Sequence, residues 1–294
     1  MSGTILGPVN AVLPKDRGVR VVPGIAYGRH DRHVLDLYLP HASDHHAPVI
    51  MFAYGGAWHE GARQEYGFVG HAFAARGYVT VIADYRLYPE IRYPAFLEDL
   101  AAATCWATRE AGAYGGDPKR LFLMGHSAGA YNAVMLALAG ERYGAGEILS
   151  CVLGVVGLSG PYDFYPFDLD ITINTFGAAG ADESSQPVNL VTPGAPPMLL
   201  VHGGRDRVVY PRNTIALAAR LRGAGVEVVE KHHPGLGHPM PLMALARPFR
   251  WRAPVYKDVL DFLGKRDLAG RGAEATRAAD APRSDREPKR TRDR

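Results

Sequence analysis

The chain has 294 residues, 47% of them hydrophobic and 21% charged, with a net charge of +3. That balance fits a globular protein with a sizeable core. It excludes low-complexity and membrane-spanning classes, because no apolar run approaches the roughly 20 residues a bilayer span requires. The charge is uneven: the segment from Gly264 onward holds ten Lys/Arg and six Asp/Glu, which leaves a slightly acidic body with no basic signature for nucleic acid.

The opening stretch, "MSGTILGPVNAVLPKDRG", has no basic start followed by a long apolar segment, so no signal peptide is read there and a cytoplasmic location is expected. "HVLDLYL" (His33–Leu39) alternates as a half-exposed strand does. Continuous apolar runs follow at Pro48–Gly56, Tyr78–Tyr85, Arg120–His126, Cys151–Gly160 and Pro197–Gly204, with Val226–His233 as a last strand. Such runs imply burial on both faces, hence parallel strands between helices. Helical patterns lie between them, near Phe68–Arg76 and from Ala95, Ala128, Asn213 and Val255. The alternation predicts one α/β domain over residues 1–263 with a mostly parallel, twisted sheet flanked by helices on both faces. Residues 264–294 have little apolar surface to bury and are read as a disordered, dispensable tail.

Two segments break the rhythm. Pro161–Pro196 lacks a clean helical pattern and is expected to form a small cap or binding segment, and His238–Pro254 is a second irregular stretch. Both follow strand ends, where open α/β sheets bind ligands. Cys105 and Cys151 sit in apolar stretches and read as buried free thiols in a reducing compartment. No Cys/His spacing suits a metal, and no cofactor is expected.

"FLMGHSAGAYN" (Phe122–Asn132) carries the chemistry. Ser127 stands between Gly125 and Gly129, at a turn from an apolar strand into a helix. This is the context in which G-x-S-x-G holds a serine in a strained conformation at a helix N-terminus. Side chains at the flanking positions would collide with the neighbouring strand and helix. A serine hydroxyl needs a base, and the base needs an orienting acid. Asp206, in the loop after "PMLLVHGG", and His238, in a Gly/Pro-rich loop after the last strand, complete the order Ser, Asp, His. Asp163 is a rival acid, and His232 and His233 are rival bases. His202 is expected to pack at its strand end, and His126 to shape the site.

Negative charge on a tetrahedral intermediate calls for backbone N–H donors. Ala128 supplies one. Gly56 and Ala57, in "YGGAW" (Tyr54–Trp58), supply the others, unless the two glycines merely make a hairpin turn. Trp58, His126 and Ser159 are expected to line the substrate site; Ser159 lies in a second Gly-flanked stretch, but Pro161 follows it and no helical pattern does.

The sequence resembles the serine esterases of the α/β-hydrolase superfamily. It is similar to the carboxylesterase/lipase group that includes hormone-sensitive-lipase-like esterases, kynurenine formamidases and isoprenylcysteine methylesterases. The matching stretches are "YGGAW", "DYRLYPEIRYPA", "YGGDPKRLFLMGHSAGA", "HGGRDRVV" and "GLGH", in family order across most of Ala26–Leu263. It departs from the group at Tyr54, where a His is usual, at Ala57, where a third Gly is usual, and at His126, where one branch has an acid. The resemblance implies the α/β-hydrolase fold and hydrolysis of a small carboxylic ester through an acyl-enzyme. The alternatives are an arylformamidase acting on N-formylkynurenine and a catalytically silent binding module. The implied partner is a small ester molecule; a homodimer is compatible with the chain.

Overall fold

The apolar runs of the sequence become the centre of one eight-stranded sheet. The computed structural model describes residues 6–41, 46–177 and 183–280. The strands are β1 (Val19–Ala26), β2 (Val34–Pro40), β3 (Ala47–Ala53), β4 (Val79–Ala83), β5 (Gly116–His126), β6 (Val152–Leu158), β7 (Met198–Gly203) and β8 (Val228–His233), in the order β1-β2-β4-β3-β5-β6-β7-β8. β2 runs antiparallel to both neighbours, and all other pairings are parallel. Every residue of β3, β4 and β7 is buried, so both faces of the sheet centre are covered. The described helices are α1 (Leu6–Val12), α2 (Gly67–Ala74), α3 (Ala95–Glu110), α4 (Ala128–Ala139), α5 (Asp170–Phe176), α6 (Arg212–Gly223), α7 (Met240–Met243) and α8 (Val255–Asp280); α2, α3, α4, α6 and α8 cover the sheet. The architecture is the expected α/β fold, a mostly parallel sheet with helices on both faces.

Four features differ from the sequence reading. β1 was not anticipated: its pattern is broken by Pro23 and Gly24, where the register with β2 shifts, and it lies at the sheet edge. β2 is not half-exposed, because it is buried from Leu35 onward. The polar letter that makes it look alternating is Asp36, which is buried and bonded to Arg63 Nε at 2.8 Å and to the Gly24 N–H at 2.9 Å. Among its described residues, the segment after Pro161 contains a short α-helix, α5 (Asp170–Phe176). Cys105 is a buried free thiol, whereas Cys151 is only half-buried.

The boundary drawn at Gly264 falls inside α8, which continues to Asp280. The reason is a set of ion pairs that local composition does not reveal. Asp267 accepts from Arg120 Nε at 2.6 Å, and Arg120 also donates to the His46 carbonyl at 2.6 Å. The Arg120 side chain is 4% exposed. Arg266 pairs with Glu227 at 2.8 Å. The remainder of the expected tail, residues 281–294, lies outside the described residues.

Removing Asp267 leaves the buried Arg120 guanidinium with only the His46 carbonyl and Asp117 at 4.0 Å, a loss that typically costs about 3 kcal/mol. Asp267→Ala, and equally truncation after Arg266, should lower the melting temperature by several degrees, as read by differential scanning calorimetry. Truncation after Asp280 should leave the Arg120 pair intact and the melting temperature nearly unchanged.

Candidate active site

Ser127 occupies the turn between β5 and α4 with φ 54° and ψ −124°, a left-handed backbone that a non-glycine residue adopts only under constraint. The two flanking glycines supply that constraint. A Cβ on Gly129 would stand 2.0 Å from the Ala53 carbonyl oxygen, and one on Gly125 would stand 2.2 Å from the Gly129 carbonyl oxygen. The helix therefore starts against the end of β3, closer than any side chain permits. The Ser127 N–H donates to the Leu158 carbonyl at 2.8 Å, which ties the turn to β6.

The loops after β7 and β8 bring two further side chains to the hydroxyl. His238 Nε2 lies 2.9 Å from Ser127 Oγ, and His238 Nδ1 lies 2.7 Å from Asp206 Oδ2. Asp206 is buried, and its Oδ1 accepts the Val208 and Val209 N–H groups at 2.9 Å each. His202 Nε2 is 3.3 Å from Asp206 Oδ2 and 2.8 Å from the Val209 carbonyl. Facing two acceptors, that nitrogen carries the proton, while His202 Nδ1 accepts from the Thr214 hydroxyl at 2.8 Å. Burial pushes the Asp206 carboxyl up, but the hydrogen bonds from His202, His238 and Val209 outweigh it and hold the group well below the usual carboxylate range. An ionised Asp206 fixes the proton of His238 on Nδ1. The Nε2 lone pair then faces the serine hydroxyl, the arrangement in which imidazole can accept its proton.

The rival groups lie elsewhere. Asp163 is exposed, and its N–H is bonded to Asn213. His232 pairs with Glu230 and His233 with Asp258.

Across from the serine, the chain leaves β3 through three consecutive residues with positive φ: Gly56 at 124°, Ala57 at 47° and Trp58 at 61°. The Gly56 carbonyl accepts from His59 and Glu60, which closes the turn. A Cβ on Gly56 would meet the Glu60 carbonyl oxygen at 2.1 Å, so Gly56 shapes the turn. The Ala57 N–H donates to no backbone acceptor among the described residues. Ala128 is the first residue of α4, and its N–H has no intrahelical acceptor. Ala57, Ala128 and Ser127 line one cavity of about 370 Å³; Gly56 is not among its walls.

The turn rests on a polar network. Tyr54 stacks between Tyr66 and Tyr85, with ring centroids 5.2 and 4.7 Å away. Its hydroxyl donates to Asp84 at 3.0 Å and accepts from Arg32 at 2.8 Å. Arg63 bridges Asp84 and Asp36.

The rest of the cavity wall comes from the cap (Pro161, Phe164, Asp168, Leu169, with α5) and from the loop that carries Asp206 (Arg207 to Tyr210). Trp58 lines the cavity, as expected. His126 and Ser159 do not. Ser159 ends beyond β6 with its side chain fully enclosed, its N–H bonded to the Val201 carbonyl at 2.8 Å. His126 is buried beside the His238 ring, and its Nε2 donates to the His238 carbonyl at 3.0 Å. Burial, then the nearby His238 ring, push the His126 pKa down to about 3, so it holds the His238 backbone as a neutral ring.

Sequence reasoning missed Asn132 and Asn213. Asn132 is buried in the otherwise apolar α4 and accepts from the Trp58 indole. A lone amide in an apolar helix five residues after the serine is a signal that could have been weighed. Asn213 accepts the N–H groups of Tyr162 and Asp163 at 2.8 Å each and fastens the start of the cap; nothing local in the sequence marks that pairing.

The BD-FAE family model matches residues 35–221. Esterase LipC of Mycobacterium tuberculosis is 33% identical over 68% of this chain and 55% of its own length. Isoprenylcysteine alpha-carbonyl methylesterase ICME of Arabidopsis thaliana is 31% identical over 70% of this chain and 54% of its own. The chain thus spans about half the length of the curated relatives it matches. Among solved structures, esterase B of Lactobacillus rhamnosis inhibited by a tributyrin phosphonate aligns with a TM-score of 0.80 at 19% identity, over 93% of this chain and 94% of that one. A truncated carbohydrate esterase from gut microbiota aligns with a TM-score of 0.76 at 22% identity, over 87% and 99%. At those identities the likeness is one of fold.

His126 titrates near 6.5 when unfolded and near 3 when folded. The folded state therefore binds fewer protons in between, and stability present above pH 6.5 is lost as pH falls toward 3. Urea denaturation of the protein should show this slope, up to about 1.4 kcal/mol per pH unit from this group, and His126→Asn should flatten it. An identical slope in the variant would refute the assignment.

Proposed function

The chain belongs to the BD-FAE family, and on that premise we propose that it hydrolyses small carboxylic esters through an acyl-enzyme. The observation that carries the reading is the unbroken chain from Ser127 Oγ through His238 to Asp206, at 2.9 and 2.7 Å, opening on a cavity that Ala57 and Ala128 also line. In the first half-reaction Ser127 attacks the carbonyl carbon as its proton passes to His238 Nε2. The carbonyl oxygen takes up the negative charge, and the N–H groups of Ala57 and Ala128 hold it. Collapse expels the alcohol, which leaves with the proton from His238. Water then repeats the sequence: His238 takes its proton, the acyl group departs as the acid, and Ser127 recovers its hydrogen. Asp206 stays ionised throughout and balances the imidazolium that forms twice per cycle.

The relatives named as esterases support this class. The cavity wall argues for a short acyl group. Each methylene is worth about 0.8 kcal/mol only where water is excluded along it. Asp168 stands in the wall and interrupts any longer apolar path. Among the described residues, the cap part of the cavity wall comes from the segment after β6. Among the described residues no helix is long and apolar enough to cross a membrane. The unpaired Cys105 and Cys151 fit a reducing, cytoplasmic setting.

Under this reading a fluorophosphonate probe labels the protein once, at Ser127, and Ser127→Ala abolishes both labelling and turnover; labelling that survives would sink it. Asp206→Asn should lower kcat on the order of 10⁴-fold, because the imidazole proton loses its anchor, while Asp163→Asn should cost little. With monomeric p-nitrophenyl esters, kcat/KM should peak between acetate and hexanoate. A rise continuing to dodecanoate would contradict the short pocket, and weak turnover of every ester beside fast hydrolysis of N-formylkynurenine would move the assignment to a formamidase.

A further inference from the structure

We propose that Asn132 is a positioning residue for the oxyanion turn, acting through the indole of Trp58. The proposal rests on the esterase reading above and goes beyond it.

Asn132 is 0% exposed, in a helix whose other buried residues are nearly all apolar. Its Oδ1 accepts from Trp58 Nε1 at 2.9 Å. Its Nδ2 has no partner among the described residues. A buried amide N–H without a partner is a stability cost that a leucine of similar size would avoid. Packing alone gives no reason for asparagine here.

What Asn132 holds does give one. Trp58 sits at φ 61° directly after Ala57 at φ 47°. Two non-glycine residues in the left-handed region persist only where the surroundings over-determine them. The ring of Trp58 is enclosed by Phe96, Tyr131, Phe164 and Phe176, with centroids 4.9 to 6.1 Å away. Apolar enclosure is non-directional and leaves the indole free to rotate or slide. The bond to Asn132 is the directional contact of that side chain.

The location matters as much as the bond. The two proposed oxyanion donors come from separate parts of the chain, Ala57 after β3 and Ala128 at the start of α4. Donors work only when both lie about 3 Å from the same oxygen. Asn132 stands on α4, one turn beyond Ala128. Its bond to Trp58 therefore fixes the turn that bears Ala57 to the helix that bears Ala128, and sets their separation.

The test uses the full chain with Asn132→Leu, Trp58→Phe and the double variant, with Ser127→Ala as the control. Readouts are kcat and KM on p-nitrophenyl butyrate, the inhibition constant of an alkyl trifluoromethyl ketone that forms a tetrahedral adduct at the serine, and the melting temperature. Displacing a donor should cost somewhat less than deleting one, so kcat should fall about 10- to 100-fold with KM within about twofold. The ketone should weaken by the same factor. The double variant should lose no more than the worse single one, because both changes break one linkage. Should Asn132→Leu fail to fold, Trp58→Phe, which removes the N–H and keeps an aromatic ring, carries the same expectation. Unchanged kcat, a lower melting temperature with unaltered ketone affinity, or multiplicative losses in the double variant would each overturn the proposal. Turnover that survives Ser127→Ala would instead overturn the esterase reading, and is seen separately.

Discussion

The first turn of α4 presses so closely on the carbonyl end of β3 that a Cβ on Gly129 would stand 2.0 Å from the Ala53 oxygen and 2.4 Å from that of Tyr54. Much of the site follows from that approach. It compresses the link from β5 into one residue, Ser127, which must take a left-handed backbone. It also sets the start of α4 beside the chain leaving β3, so that Ala128 and Ala57 face one cavity from two different segments. The approach is held because β3 is buried along its whole length and paired on both sides, with β4 and β5. A strained turn keeps its shape only on a frame that cannot relax around it.

Around that frame the polar groups are arranged to keep a carboxylate ionised away from water. Asp206 loses hydration on burial and regains it as N–H donors from Val208, Val209, His238 and His202. The oriented donors replace a solvent shell that would have to reorganise when charge appears. His126, also buried against His238, is held neutral, so it places no positive charge beside that ring. The same economy of pairing recurs under the turn that bears Ala57, where Arg63 links Asp36 of β2 to Asp84 after β4.

The cap gives the cavity its apolar character. Phe164 and Phe176 pack on Trp58, whose indole is bonded into α4, so cap, turn and helix meet in one aromatic cluster. Outside it, Tyr165, Leu169 and Ile173 of the cap and Val208 and Tyr210 of the Asp206 loop remain exposed.

The central strands were legible because burial on both faces leaves a run of apolar residues in the sequence itself, and the serine turn because two glycines at fixed offsets answer a steric demand written in adjacent positions. Asp206 and His238 could be named from chain order and loop position, since each follows a strand whose end lies at the same edge of the sheet. What local sequence could not carry were pairings between distant positions. Asp36 looks like the polar letter of a half-exposed strand until Arg63 reaches it, and Gly264–Asp280 looks like free tail until Asp267 meets Arg120 across 147 positions. Ser159 resembles a second site serine in its flanking glycine, yet β6 ends with its hydroxyl enclosed. Asn132 reads as an isolated amide until the fold lays Trp58 against it, 74 positions away. By itself the sequence determined what short-range sterics and hydrophobic periodicity demand: the central strands, the strained serine and the order of its partners. Tertiary structure alone decided which buried polar groups are satisfied and by whom, because a hydrogen bond depends on where atoms meet and not on how far apart they lie along the chain.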